Sequence, residues 1–251
     1  MQSAQRAPKY LYAVMKAPDN VDLTAKGVAD RTVFAIDEQG IAALASDLPA
    51  KRIRPQRRHF AAHQAVLKEL MERDSLLPMS FGVVADNAAK VRRFLAENRS
   101  SIEDQLDRVQ GKVEMGLRVT WDLDNIFEFM IRKHPELMAA RDQAFGNGAS
   151  PSRDQMIEIG RMFESFLSSD RQAHYDRVWE KLTPHCFEIK NNACREECEV
   201  MNMACLVGRN AVDRFEQGVF VAAAQFDNDY AFDYSGPWAP YNFVDLSVDL
   251  S

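Results

Sequence analysis

The segment at residues 113–121 constrains the fold of this chain more than any other. It reads VEMGLRVTW, so every odd-numbered position is apolar. Successive side chains of a strand point to opposite faces of a sheet. The alternation therefore predicts a strand with one face on a core and the other toward water or a neighbouring element.

The elements predicted after this strand supply that core. Helical sequence runs from about residue 124 to 145 with a break at Pro135, and a long amphipathic helix covers residues 152–182. Strands at 186–190 and 199–207, a helix at 210–226 and a strand at 230–234 complete the series. From residue 112 the order is β, α, β, β, α, β, which is the split βαβ or ferredoxin-like plan. We therefore predict a ferredoxin-like domain over residues 111–235, with more than one helix in its first crossover.

Residues 1–110 predict a separate N-terminal α+β domain, because strands come first and helices after. Strands are predicted at residues 10–15, 32–36 and 41–46, although 42–45 could equally form a helical turn. Pro55 opens a helix whose apolar stripe includes Phe60 and His63. Asp86 is the predicted N-cap of the next helix, and Gly111 ends the one after it. The fold class is α+β in both domains.

The C-terminal segment GPWAPYNFV at residues 236–244 combines three aromatic residues with two prolines. Proline excludes this segment from a helix and from the centre of a sheet. Each aromatic side chain can remove up to roughly 200 Å² from water, so Trp238, Tyr241 and Phe243 favour burial. We expect residues 236–251 to form an extended tail that packs on the surface of this chain. A tail packed on a partner protein is the alternative.

The sharpest charge feature is a basic run at residues 51–58. It contains five cations: Lys51, Arg52, Arg54, Arg57 and Arg58. One interpretation is a solvated loop and helix start, and the other is a docking patch for an acidic partner protein. The whole chain has a formal net charge of −6, which argues against a nucleic-acid-binding protein because such proteins need a basic face.

The motifs of catalysis and metal binding are missing from the sequence. The four cysteines, Cys186, Cys194, Cys198 and Cys205, lack the paired CxxC spacing of a structural zinc site and are interpreted as reduced thiols. His59 and His63 lack the glutamate of HExxH, and there is no GxGxxG or P-loop. We therefore expect a protein that is not an enzyme and has no cofactor. Without an apolar run of about 20 residues or a signal peptide, we also expect it to stay off the membrane, in the cytoplasm.

Several short segments, in order along nearly the whole chain, resemble one known family. These are KYLYA at 9–13, Arg58 with His63, LLPMSFGVV at 76–84, GKVEM at 111–115, NMACLV at 202–207 and GPWAPYNFV at 236–244. Together they are similar to the gas vesicle proteins GvpF and GvpL. The last segment is the most specific of the set, and the resemblance implies that it closes over the C-terminal domain with Trp238 and Phe243 buried against this chain.

The resemblance implies a fold and a role. Family members have an N-terminal α+β domain followed by a modified ferredoxin-like domain, and they are accessory proteins of gas vesicles. The implied partners are the shell protein GvpA and other accessory proteins, and the implied location is the gas vesicle. The resemblance leaves open whether the chain is a minor structural component, an assembly factor or a chaperone-like factor that holds GvpA. A ligand-binding module on the ferredoxin-like domain is a further alternative, because that plan hosts many functions. The partner surface is expected on the N-terminal domain, at the basic run and at exposed edges of the N-terminal sheet.

Overall fold

The computed structural model describes residues 7–49, 52–146 and 150–246. It divides into two compact units, Met1–Glu114 with Gly236–Ser251, and Met115–Ser235. The boundary near residue 114 lies close to the predicted one, and the C-terminal segment joins the first unit. Lys51 of the basic run and residues 247–251 of the predicted tail lie outside the described residues.

The first unit contains an antiparallel sheet and three helices. Its strands are β1 (Lys9–Lys16), β2 (Val33–Glu38), β3 (Ile41–Asp47), β4 (Leu77–Pro78) and β5 (Val84–Ala85). Its helices are α1 (Arg57–Arg73), α2 (Ala88–Glu97) and α3 (Arg99–Val109). The strand order is β2-β3-β1-β4, and β5 also pairs with β1. The strand predicted at 41–46 is confirmed, and its helical alternative is excluded.

This sheet has a core on each face. Leu11 and Val14 of β1 pack with apolar side chains of α2 and α3. Tyr10 and Tyr12, which point the other way, pack with side chains of α1. Strand β1 is buried along its whole length except at Lys16. The result is a three-layer unit in which β1 and β3 are central and apolar on both faces.

The second unit has the element order predicted from the sequence. It contains most of β6 (Lys112–Trp121), then α4 (Ile126–Lys133), α5 (Pro135–Phe145), α6 (Arg153–Leu182), β7 (Glu188–Asn192), β8 (Glu199–Gly208), α7 (Val212–Ala223) and most of β9 (Tyr230–Trp238). The sheet order is β7-β8-β6-β9. Four odd-numbered residues of β6 lie in the core with the helices, which confirms the alternation: Met115, Leu117, Val119 and Trp121. The break predicted at Pro135 is also confirmed, because α5 begins there.

Three predicted boundaries are wrong by a few residues. Helix α1 begins at Arg57 rather than at Pro55. Asn87, not Asp86, caps α2, because its side chain accepts a hydrogen bond from the Lys90 amide at 3.0 Å. Strand β9 continues to Trp238 instead of ending at residue 234. Proline is tolerated there because β9 is an edge strand, where one side of the backbone has no ladder to join.

The segment after β9 packs into the first unit rather than over the second, contrary to expectation. Phe243 is fully buried, as predicted. Asn242 donates two hydrogen bonds to the Glu114 carboxylate, from its amide at 2.8 Å and from Nδ2 at 2.6 Å. The Asp245 amide donates to Gln105 Oε1 at 2.7 Å. Trp238 is the exception, since its side chain is 48% exposed and the prediction of its burial is wrong.

Tyr241 connects this C-terminal segment to α1 and β1 through a buried chain of hydrogen bonds. The Gly82 amide donates to Tyr10 Oη at 3.3 Å, and Tyr241 Oη donates to the Met79 carbonyl at 3.4 Å. Between them, His63 lies 2.9 Å from Tyr10 Oη through Nδ1 and 3.0 Å from Tyr241 Oη through Nε2. Both hydroxyls are satisfied if His63 is neutral, with Nε2–H donating to Tyr241 and Nδ1 accepting from Tyr10.

Burial of these hydrogen-bonded side chains determines their protonation states. Desolvation lowers the pKa of His63 to about 4, because a charged imidazole is disfavoured away from water. Desolvation likewise raises the pKa of Tyr241 to about 12 and raises that of Tyr10. The imidazole is therefore neutral at neutral pH, as the hydrogen-bond directions require. His63 is thus a hydrogen-bonded side chain of the core.

The first prediction concerns pH. The pKa of His63 is lower in the folded state than the ordinary value near 6.5, so the unfolded chain binds more protons below pH 6.5. The contribution of His63 is complete above that pH, and about 3 kcal/mol of it is lost as the pH falls to 4. In denaturant titrations at several pH values, the difference in the free energy of unfolding between the native chain and H63Q should narrow by this amount. H59Q, on the same helix, is the control and should parallel the native chain; a constant gap for H63Q would contradict the prediction.

The second prediction compares two aromatic residues of the C-terminal segment. Phe243→Ala leaves a cavity at a fully buried site and should lower the free energy of unfolding by about 3–5 kcal/mol. Trp238→Ala removes a half-exposed ring and should cost less than about 1.5 kcal/mol. Urea denaturation midpoints measure both effects. Equal losses of unfolding free energy in the two variants would contradict the prediction that the buried ring contributes more to stability.

Candidate partner-binding site

The basic run joins β3 to α1 and continues into the first turn of the helix. Arg52 and Arg54 lie in the irregular connection, and Arg57 and Arg58 are the first two residues of α1. All four side chains are exposed. His59 Nδ1 lies 3.0 Å from the Arg54 carbonyl, so the connection turns back on the helix start. The structure thus brings these four arginines together on the surface of the first unit.

Within the part of the chain that the structure describes, the four arginines lack intramolecular counter-ions. Among the residues that the structure describes, none of the four forms a salt bridge with a carboxylate. Arg58 Nε instead donates to Gln56 Oε1 at 2.9 Å, a neutral acceptor. The positive potential of this surface is therefore directed at solvent, where it would attract an acidic partner.

The position of Arg57 and Arg58 is electrostatically unfavourable for the helix itself. The N-terminus of α1 carries a partial positive charge, and acidic side chains stabilise such a position by about 0.3–1 kcal/mol each. The first turn contains no acidic residue, and the N-cap Gln56 makes no side-chain capping bond. Two cations at an uncapped helix start contradict the usual rules for helix stability. Local departures of this kind are expected at functional sites.

An aromatic pair lies next to the arginines on α1. Phe60 is three residues after Arg57, so the two side chains share a face of the helix. Its ring stacks on Phe81 with centroids 3.9 Å apart and planes at 22°. The sequence predicted Phe60 as part of a buried stripe, but its side chain is 44% exposed. The spacing of three residues between Arg57 and Phe60 could have indicated that Phe60 is exposed, but the same spacing to His63 favoured burial.

A small cavity adjoins the helix start on its other side. It has a volume of about 240 Å³ and is lined by Arg58, His59, Ala62, Gly27, Ala29 and Asp30.

We define the arginine surface as Arg52, Arg54, Arg57 and Arg58 with Phe60 and Phe81. It combines charge for attraction with an exposed aromatic anchor, and such a combination is typical of protein-binding sites.

The remaining candidate groups form no reactive site. All four cysteines are free thiols, and burial raises the pKa of Cys194 and Cys198, which disfavours the nucleophilic thiolate. Across residues 7–49, 52–146 and 150–246, no group of three or more His, Cys, Asp or Glu side chains is arranged to hold a metal ion. The tail residues Tyr241 and Phe243 make structural contacts, since Phe243 is fully buried and the half-buried Tyr241 hydrogen-bonds to His63 in the first unit.

Each helix of the described residues is too short or too polar to cross a lipid bilayer.

Comparison with known proteins identifies relatives over nearly the full length. The model of the family described as gas vesicle synthesis protein GvpL/GvpF matches residues 8–245. Gas vesicle protein F from Nostoc sp. strain PCC 7120 is 26% identical over 241 residues, which cover 95% of this chain and 98% of that protein. Gas vesicle protein L from Streptomyces sp. strain CB03234 is 23% identical, and the alignment covers 75% of this chain and 69% of that protein.

A solved structure agrees in fold. The crystal structure of the gas vesicle protein GvpF from Anabaena sp. PCC7120 has a TM-score of 0.84 and 25% identity, and the match covers 96% of this chain and all of that one. Its α+β fold matches the mixture of helices and antiparallel sheets described above, which confirms the predicted fold class. Sequence and structure agree, and the chain belongs to the gas vesicle protein family GvpL/GvpF.

Proposed function

We propose that this protein is a non-enzymatic accessory protein of gas vesicle assembly that binds the shell protein GvpA through the arginine surface. Its relatives are named as gas vesicle proteins F and L, which supports the vesicle-related role. One observation carries the location of the site. Arg57 and Arg58 begin α1 without an acidic residue in the first turn or a counter-ion among the described residues.

A bound acidic segment would remove this electrostatic penalty. Carboxylates placed at the start of α1 would interact favourably with the arginines and with the helix N-terminus at once. The exposed ring of Phe60, supported by Phe81, offers an apolar contact beside these charges. Aromatic and arginine side chains together are the residue types that contribute most to binding energy in protein interfaces.

Two forms of this proposal differ in the stage of assembly at which the protein acts. An assembly component retained in the shell should remain in purified, washed vesicles. A chaperone-like factor should bind GvpA before assembly and be absent from washed vesicles. Immunoblotting of vesicles before and after washing distinguishes the two, and binding of GvpA is common to both.

The third prediction tests the site. In co-expression and affinity purification with tagged chain, R57E/R58E should reduce recovered GvpA by about tenfold, because charge reversal repels an acidic partner. The matched control is R92E/R93E, two consecutive exposed arginines of α2 in the same unit, which should recover GvpA as the native chain does. Binding of the native chain should also weaken as salt rises from low to physiological concentration.

Two results would contradict these proposals separately. Equal recovery of GvpA by R57E/R58E and the native chain would place the binding site elsewhere. Absence of GvpA binding by the native chain, together with normal vesicles in a deletion strain, would overturn the assembly role itself.

The fourth prediction concerns the stability of the same variant. R57E/R58E replaces two unfavourable charges at the start of α1 with favourable ones, so the free energy of unfolding should rise by about 1 kcal/mol. R92E/R93E lies within α2 and should bring no such gain. Denaturant titration at low ionic strength measures the difference. A variant that binds less GvpA while being more stable would show a surface kept for binding at a cost in stability, whereas a loss of stability would contradict this interpretation.

A further inference from the structure

We infer that the second unit carries a separate binding site for an acidic protein segment with an apolar side chain, at a cavity beside Phe187 and Arg214. The cavity has a volume of about 400 Å³. It is lined by Pro184, His185, Cys186, Phe187, Gly208, Ala211 and Arg214. None of these residues belongs to the arginine surface, and the inference does not depend on the function proposed above.

One wall of the cavity is formed by the segment that leads into β7. The Phe187 amide donates to the Leu206 carbonyl at 2.8 Å, which extends the β7–β8 ladder by one residue and fixes the backbone. The ring nevertheless remains 68% exposed. It passes over Gly208, where an added Cβ would lie 3.5 Å from Phe187 Cε2. A large aromatic ring held by a rigid backbone and still facing water is suited to contact with a partner.

The opposite wall is formed by the start of α7, and a glycine allows the two walls to approach. A Cβ added at Gly218 would lie 2.6 Å from His185 Cδ2, so only glycine at this position lets the imidazole pack on the helix. Gly218 is buried within α7, where glycine otherwise lowers helix stability by about 1 kcal/mol relative to alanine. The cavity is thus bounded by fixed elements on both sides.

Arg214 supplies the charge at this cavity. Its side chain is exposed, and in the part of the chain that the structure describes it forms no salt bridge. An arginine in this state presents several N–H donors that match a carboxylate. Because Phe187 and Ala211 line the same cavity, an occupant that satisfies all of them carries both a carboxylate and an apolar side chain.

Short labelled peptides test this inference. A fluorescein-labelled peptide of alternating leucine and aspartate should bind the full chain, as measured by fluorescence anisotropy. Replacing aspartate by lysine, or leucine by serine, should weaken binding about tenfold or more, since each change removes one of the two required features. Binding of the leucine–aspartate peptide should also protect Cys186, which lines the cavity, from N-ethylmaleimide, while Cys198 in the β7–β8 turn stays reactive.

Variants locate the site. R214E and F187S should each weaken binding of the leucine–aspartate peptide about tenfold. R132E, which reverses an exposed arginine of α4, should bind it as the native chain does. The R57E/R58E background removes the arginine surface, so peptide binding that remains in that background and is lost when R214E is added reports the cavity alone. Circular dichroism of all variants should match the native chain. Denaturation midpoints should change only slightly, with the gain expected of R57E/R58E, a smaller gain in R214E, where glutamate enters the first turn of α7, and a small loss in R132E, in the last turn of α4. Equal binding of the leucine–lysine peptide, unchanged binding by R214E, or no protection of Cys186 would each overturn the inference.

Discussion

The first unit depends on the neutral imidazole of His63, which lies between a strand, a helix and the C-terminal segment. Tyr10 and Tyr241 hydrogen-bond its two ring nitrogens, and Tyr12 stacks on its face at 5.6 Å. The neutral tautomer with its proton on Nε2 satisfies both hydrogen bonds, and burial favours this uncharged form. These contacts bring residue 241 beside residues 10 and 63, so the two ends of the described chain fold as one unit. The apolar packing of Phe243 and the Glu114–Asn242 pair then hold the segment in place.

This arrangement determines where the arginine surface can lie. His63 faces the core, and at helical spacing Arg57 lies about 120° round the helix from it and points outward, with the half-exposed Phe60 between them. Because the interior of α1 is fixed by packing and by His63, two repelling cations can be tolerated at its start. A marginal helix would fray from that end. The stability of the first unit therefore permits the arginine surface, which would be unfavourable on an isolated helix.

The two surfaces described here share one physical pattern, in which exposed arginine lies beside an exposed aromatic ring. On the first unit the ring is Phe60, supported by Phe81. On the second it is Phe187, supported by Gly208. Either surface suits a partner with carboxylates and apolar side chains. Under the functions proposed above, a chain with one such surface on each unit would contact two segments.

The sequence determined the elements that depend on local periodicity and on turn chemistry. Alternation specified β6, Pro135 separated α4 from α5, and the order of elements specified an α+β chain with a split βαβ series. It also marked the arginine run, because charge is visible without a fold. It did not determine two helix boundaries. Helix α1 begins at Arg57 rather than at Pro55, and Asn87 rather than Asp86 caps α2.

Tertiary structure decided which side chains are buried. Phe60 and Trp238 carry the same local signals for burial as Phe243, yet only Phe243 is fully enclosed. Burial depends on what the rest of the chain brings opposite each residue, which spacing along one segment does not encode. For the same reason, the sequence identified the C-terminal segment as a packed arm, whereas only the fold decided that it completes the first unit through His63.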